Sequence, residues 1–110
     1  MRIEPAISEA FTIYDAPKLD PITVVLQDLS PGRGRIIIEC YGSAWATYFG
    51  AIGDQRIRDF LVACSADYVV GRMWSFSTRT TKHHKSHLLK IVEAVLEALK
   101  NGPIPAQGKV

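Results

Sequence analysis

The sequence predicts an α+β domain: an antiparallel meander of about three strands, with a candidate fourth strand at the N-terminus, packed against two to three C-terminal helices. Two observations favour this class. The first half contains short β-branched runs separated by turns with Gly or Pro, whereas the second half carries apolar residues at helical spacing. We expect a single domain over residues 1–102 and a flexible tail over residues 103–110.

A hairpin in the middle of the chain is the strongest strand signal. The run Ile36–Ile38 is β-branched and therefore suits a pleated strand, and Gly42-Ser43 fits the two central positions of a type II′ turn. This turn would pair Cys40 with Trp45, Ile38 with Thr47 and Ile36 with Phe49. We expect these six side chains to form the core face, with Trp45 and Phe49 largely buried.

The strands of the meander are predicted at residues 22–29, 35–41 and 44–50. Pro31-Gly32 fits the centre of a type II turn between the first two, because Pro fixes φ and Gly accepts a positive φ. Phe11, Ile13 and Tyr14 indicate a short edge strand before them.

Three helices follow, of which the last is the most regular. Asp54 is the predicted N-cap of the first helix, and Ser65 is the predicted N-cap of a second, short one. Residues 73–80 fit either a strand or a packed loop. The last helix has its apolar stripe at Leu88, Ile91, Val92, Val95, Leu96 and Leu99. The sequence Asn101-Gly102-Pro103 should end it.

Composition limits the function classes. The chain has 110 residues and a net charge of +2, which is too small to indicate nucleic-acid binding by itself. The N-terminus does not resemble a signal peptide, and no stretch approaches the ~20 apolar residues of a membrane span. Cys40 and Cys64 form no CxxC motif, so we expect free, buried thiols in a soluble cytoplasmic protein.

A basic region spans residues 72–90. Acidic residues are absent between Tyr68 and Val92, whereas this stretch contains Arg72, Arg79, Lys82, Lys85 and Lys90. It could contact an anionic partner, either the nucleic-acid backbone or an acidic protein patch. The alternative is an ordinary solvated helix end.

Histidines at 83, 84 and 87 lie in the same region. His83 and His87 would share one helix face, but two ligands do not complete a metal site and the HExxH glutamate is missing. We therefore predict no metal and no other cofactor. The chain also has no nucleophile motif and no acids paired by local spacing, so we predict that it is not an enzyme.

Aromatic residues mark the second face of the predicted hairpin. Tyr41 and Tyr48 project there with Ile37, Glu39 and Arg35. Tyrosines beside cations can bind a protein or stack on single-stranded bases. The alternatives are a solvated face or one covered by the N-terminal segment. We take Tyr41, Tyr48, Arg72, Arg79, Lys82 and Lys85 as candidate partner-binding residues.

The segment from Glu39 to Phe60 resembles small proteins encoded by tailed phages and prophages. The shared pattern consists of ECYG, AW, Y, GA-x-GD and I-x-x-F, here Glu39–Gly42, Ala44-Trp45, Tyr48, Gly50–Asp54 and Ile57 with Phe60. The resemblance implies a role in the infected bacterium and supplies no catalytic residues.

Two functions fit this resemblance and the residues. The first is a non-enzymatic accessory protein in the host cytoplasm that binds a host or phage protein, such as an anti-CRISPR or anti-restriction inhibitor. The second is a nucleic-acid-binding module in phage recombination or replication, which would use residues 72–90.

Overall fold

A computed structural model describes residues 1–74 and 82–101, with Trp74, Lys82, His83 and His84 described in backbone only. The strands are β1 (Ser8–Ile13), β2 (Ile22–Ser30), β3 (Arg33–Cys40) and β4 (Ser43–Phe49); the helices are α1 (Ile57–Val62), α2 (Ala66–Trp74) and α3 (Lys82–Asn101). The strands form one antiparallel sheet in the order β1-β2-β3-β4. The predicted α+β class is confirmed, and the N-terminal segment supplies the fourth strand.

The helices pack on one face of this sheet. Alternate residues of β2 and β3 are buried, and the six predicted apolar positions of α3 are buried against them. Apolar burial over this interface is the main force that holds the two layers together. Phe49 is 2 % exposed, as expected, whereas Trp45 is only half-buried, so the expectation of a largely buried indole was correct only in part.

The β3–β4 turn differs from the predicted one. Tyr41 and Gly42 have φ values of 59° and 82°, so they are the two central residues of a type I′ turn, and the predicted type II′ turn at Gly42-Ser43 was wrong. The Gly42 N–H donates to Glu39 Oε2 at 3.0 Å, which holds this turn.

Because the turn lies one residue earlier than predicted, the register of the hairpin also differs from the predicted one. Ile38 is paired with Trp45 and Ile36 with Thr47, a displacement of two residues from the predicted pairs. An even displacement keeps every side chain on its predicted face. The predicted core face is therefore correct although its cross-strand partners were not.

The predicted N-cap of the first helix at Asp54 was wrong. Asp54 is exposed, and α1 begins later, at Ile57, whose N–H donates to Asp28 Oδ1 in β2 at 2.7 Å. The predicted cap at Ser65 is confirmed, because its Oγ accepts from the Tyr68 N–H at 3.2 Å.

Two sequence predictions lie partly or wholly outside the described residues. Met73 and Trp74 belong to α2, so neither the strand nor the loop alternative holds for them, and the rest of that stretch is not described. The predicted stop at 102–103 and the predicted tail at 103–110 are also outside the described part.

Candidate functional site

The sheet face opposite the helices carries one apolar row between two more polar rows. The apolar row is Ala10, Val25, Ile37 and Ala46, which are neighbours across the four strands. The flanking rows are Ser8, Gln27, Arg35 and Tyr48 on one side and Thr12, Thr23, Glu39 and Ala44 on the other. These side chains are exposed or half-buried, and the described helices pack on the other face. We call these residues the open face.

A cleft of about 470 Å³ lies where the open face meets the edge of the sheet. It is lined by Arg35, Ala46, Thr47, Tyr48 and Arg72. Four of these come from the paired strands β3 and β4, and the fifth comes from α2. We call this the edge cleft.

Arg72 connects α2 to the edge strand β4. Its Nη2 donates to the backbone carbonyl oxygen of Tyr48 at 2.6 Å, and its guanidinium carbon lies 4.9 Å from the centre of the Phe49 ring. A guanidinium over an aromatic ring adds a cation–π attraction to the hydrogen bond. Burial of Val69, Val70 and Met73 on the core side of α2 leaves Arg72 on the flank of the helix, facing β4.

An aromatic cluster supports this contact from the core side. The Phe49 ring centre lies 5.1 Å from that of Phe60 and 6.2 Å from that of Tyr68. These separations are typical of favourable tilted aromatic pairs. Aromatic rings from α1 and α2 therefore hold the end of β4 in place in the free protein.

Tyr48 is the exposed aromatic side chain of the edge cleft. It is 46 % exposed, and its ring lies over Gly50, where an added Cβ would be 2.9 Å from the ring carbon Cε2. A side chain at position 50 would therefore displace the ring, so Gly50 permits the position that Tyr48 adopts.

One buried polar group lines the same cleft from the core side. Thr47 is 5 % exposed, and its Oγ1 has no hydrogen-bond partner among the residues that the structure describes. An unpaired hydroxyl in the core costs free energy. The position is occupied by a β-branched residue that suits the strand, but its oxygen stabilises nothing in the described part.

The predicted site residues that the structure describes do not all lie together. Tyr48 and Arg72 are brought together, but Tyr41 is in the β3–β4 turn, 82 % exposed, about 20 Å away along β4. Lys85 lines a second cleft of about 230 Å³ with Asp67, Val70, Ser86 and Leu89. Arg79 lies outside the described residues, and Lys82 is described in backbone only.

Sequence reasoning placed Arg35 and Ala46 on the correct face but did not select them as site residues. The signal that could have found Arg35 is the hairpin register, because Arg35 pairs directly with Tyr48. The contribution of Arg72 to the same cleft could not be found locally, since it depends on how α2 packs beside β4.

The cysteines are free, as expected, although Cys64 is only half-buried. Burial raises the pKa of the Cys40 thiol, and the nearby carboxylates of Asp20 and Glu39 raise it further. Burial also raises the pKa of Cys64. Within the described part of the chain, which leaves out the side chains of His83 and His84, no three His, Cys, Asp or Glu side chains are grouped as metal ligands would be. No helix in that part of the chain has the length and apolar character of a membrane span.

Comparison with known proteins places the chain in a family. No curated protein and no solved structure matches it. The family Phage_phiTE_072, described as a phage family, matches residues 1–107. This match agrees with the resemblance to phage proteins that the sequence from Glu39 to Phe60 indicated. The chain belongs to the phage protein family Phage_phiTE_072.

Proposed function

We propose that this chain is a non-enzymatic accessory protein of a phage, and that it binds a host or phage protein through the edge cleft and the adjoining open face. The observation that carries the proposal is the contact of Arg72 with Tyr48, which gathers Arg35, Arg72 and the Tyr48 ring at one place. Tyr and Arg are the side chains most enriched, together with Trp, at the energetic centres of protein interfaces.

The apolar row extends this surface beyond the cleft. Ala46 belongs to both the cleft and the row, and Ile37 is its cross-strand neighbour. A partner seated over the cleft would therefore reach apolar area next to the polar groups. That combination is typical of the core and rim of a protein interface.

The finer form of the proposal is a counter-defence inhibitor of the anti-CRISPR or anti-restriction type, active in the cytoplasm of the infected bacterium. Membership of a phage family and the absence of a catalytic motif in the sequence support it. An inhibitor that acts only by binding needs a contact surface that fits its target and no catalytic group. The open face is the candidate for such a surface, and α2 holds the end of β4 beside it.

Nucleic-acid binding through residues 72–90 is the second candidate. The absence of acidic residues between Tyr68 and Val92 favours it. It has less support from the described residues, because Arg72 and Lys85 line two different clefts and the cleft of Lys85 is also lined by the acidic residue Asp67. If residues 72–90 bind the nucleic-acid backbone, the affinity for nucleic acid should fall steeply as the salt concentration rises.

Capture from host cells tests the proposal. The tagged chain is expressed in the host bacterium and purified with and without nuclease, beside the double variant Arg35→Glu/Tyr48→Ala and the control variant Tyr41→Ala. We expect the wild type and Tyr41→Ala to retain a specific, nuclease-resistant protein partner that the double variant loses. Circular dichroism confirms that each variant is folded. Recovery of nucleic acid alone, or a partner retained equally by the double variant, would refute the proposal.

A further inference from the structure

Strand β4 presents backbone hydrogen-bonding groups at the edge of the sheet. In a hairpin with a two-residue turn, the residues that flank the turn, here Cys40 and Ser43, exchange hydrogen bonds, and the pairs then alternate. The N–H and C=O groups of Ala44, Ala46 and Tyr48 must therefore point away from β3. The bond from Arg72 to the Tyr48 carbonyl supports this independently, because that oxygen can be reached from outside the sheet.

Strand β4 itself contains no Lys, no Pro and no bulge, and among the described residues Arg72 of α2 contacts its outer edge only near Tyr48. Proteins usually block such edges with Lys, Pro, a bulge or a covering segment. The strand reads Ser-Ala-Trp-Ala-Thr-Tyr-Phe, and its pairing with β3 is regular throughout. Among the described residues, β3 is the sole strand neighbour of β4. Ala44 and Ala46 are exposed at this edge.

Charge at one end of this edge indicates the chemistry of the partner. The edge cleft is lined by the guanidinium groups of Arg35 and Arg72, and the five residues that line it include no carboxylate. Since Arg72 already occupies the Tyr48 carbonyl, Ala44 and Ala46 remain as the positions for strand pairing. A carboxylate side chain at the end of an added strand would then meet both guanidinium groups.

We propose that the partner of this chain supplies an extended segment with acidic side chains, which adds to the sheet as a fifth strand beside β4. This inference rests on the proposed function and specifies how the partner is bound. Strand addition takes its affinity from main-chain hydrogen bonds and its specificity from side chains beside the edge, and both are available here.

A second copy of the chain fits this edge less well than an acidic segment. A two-fold pairing centred on Ala46 would place Ala44 of the second copy opposite Tyr48. Strand β4 contains no Asp or Glu, so its pairing with itself would leave Arg35 and Arg72 without a carboxylate.

The test uses a short fluorescein-labelled peptide of alternating valine and glutamate, with a valine–lysine peptide as its control. Binding is followed by fluorescence anisotropy and by the backbone amide signals of the chain in NMR spectra. We expect the glutamate peptide to shift the signals of Ala44 and Ala46, and the lysine peptide not to bind. Peptide-induced shifts confined to the cleft around Lys85 would overturn the inference.

Two substitutions at one position separate backbone pairing from side-chain contact. Ala46→Pro removes the outward N–H without removing a bond to β3, whereas Ala46→Val enlarges the side chain and keeps the N–H. We expect Ala46→Pro to lower the affinity for the glutamate peptide by about tenfold, and Ala46→Val to bind the peptide like the wild type. Arg35→Glu leaves the backbone unchanged and should lower this affinity by a similar factor. Arg2→Glu, which precedes the opposite edge strand β1, should leave the affinity unchanged.

Capture from the host separates failure of this inference from failure of the proposed function. A partner retained equally by the wild type and a folded Ala46→Pro, but lost by Arg35→Glu/Tyr48→Ala, would overturn strand addition and leave the proposed function intact. No specific protein captured by the wild type would overturn both. A stable dimer of the wild type that Ala46→Pro dissociates would show that a second copy occupies the edge, and would also overturn the inference.

Discussion

Asp28 in β2 accepts a hydrogen bond from the backbone N–H of Ile57, the first residue of α1, at 2.7 Å. The other carboxylate oxygen of Asp28 lies 3.3 Å from Arg56 Nε. A negative charge at this position interacts favourably with the free N–H groups at the start of a helix. The sheet thus determines where α1 begins, and α1 in turn positions Phe60 against Phe49 at the end of β4.

Removing this carboxylate should destabilise the domain. Asp28→Ala is expected to lower the free energy of unfolding by about 1–2 kcal/mol, because the hydrogen bond from the Ile57 N–H and the ion pair with Arg56 are lost together. Urea denaturation measures the change. Asp54→Ala is the matched control, since Asp54 is exposed, and it should stay within about 0.5 kcal/mol of the wild type. Equal effects of the two substitutions would show that Asp28 does not cap α1.

This cap illustrates why sequence reasoning failed at the first helix. Asp54 precedes the apolar stripe at a suitable distance, so local spacing favoured it as the N-cap. The residue that accepts from Ile57 is instead 29 positions earlier, in a different element. A contact over that distance follows from how α1 packs on the sheet, and local patterns do not contain this information.

The hairpin shows what the pattern did determine. Alternation placed Ile36 and Ile38 on the core face correctly, because the side-chain period of a strand does not depend on the turn. Gly42 fits either the first central position of a type II′ turn or the second of a type I′ turn. The choice depended on Tyr41 adopting a positive φ and on Glu39 accepting from the Gly42 N–H, neither of which periodicity can predict.

The candidate site was predicted in part for the same reason. Tyr48 could be assigned to the open face from the alternation of β4, and Arg72 could be selected as a cation in a region without acidic residues. Their contact depends on the packing of α2 beside β4. Tyr41 was assigned to the same surface because the turn was placed one residue too late.

Close packing between β3 and α1 gives a second prediction. A Cβ at Gly34 would lie 2.7 Å from Ile57 Cβ and 3.0 Å from the carbonyl oxygen of Gln27. Gly34→Ala should therefore destabilise the domain by about 1–3 kcal/mol, because the helix must move away from the sheet. At Gly71 in α2, by contrast, an added Cβ meets nothing within 4 Å. Gly71→Ala should increase stability by about 0.5–1 kcal/mol in the same urea experiment. The same sign for both substitutions would contradict the close approach at Gly34.

The buried hydroxyl of Thr47 gives a third prediction. Thr47→Val keeps the shape of the side chain and removes an oxygen that has no partner among the described residues. We expect the free energy of unfolding to rise by about 1 kcal/mol, as measured by thermal or urea denaturation. Thr12→Val, at an exposed position of β1, is the control and should change stability by less than about 0.5 kcal/mol. A loss of stability in Thr47→Val would mean that the hydroxyl is hydrogen-bonded.

Cys40 should make stability depend on alkaline pH. Its side chain is almost completely buried, and burial raises the pKa of its thiol above the ordinary value of 9.0. Above that pH the unfolded chain releases the proton while the folded chain keeps it, so the unfolded state is favoured as pH rises. The stability that the buried, protonated Cys40 thiol contributes is fully present below pH 9 and is lost as the pH rises through the folded-state pKa.

Urea denaturation at pH 8 and pH 10 under reducing conditions measures this dependence. Cys40→Ala should be less stable at both values, because it leaves a small cavity, but its stability should fall less between them. The pKa of Cys64 is also raised by burial, so some dependence should remain in this variant. Equal pH dependence in the wild type and Cys40→Ala would contradict the burial of the thiol.

The claim that a partner binds at the β4 edge is tested most directly by hydrogen exchange of the chain, free and bound to the protein that it captures from the host. In the free chain the amides of Ala44 and Ala46 should exchange quickly and those of Trp45 and Thr47 slowly, because only the second pair bonds to β3. Binding of the partner should strongly slow the hydrogen exchange of the Ala44 and Ala46 amides. Unchanged exchange at these two amides in the complex, with protection confined to the cleft around Lys85 or to the Tyr41 turn, would contradict the account.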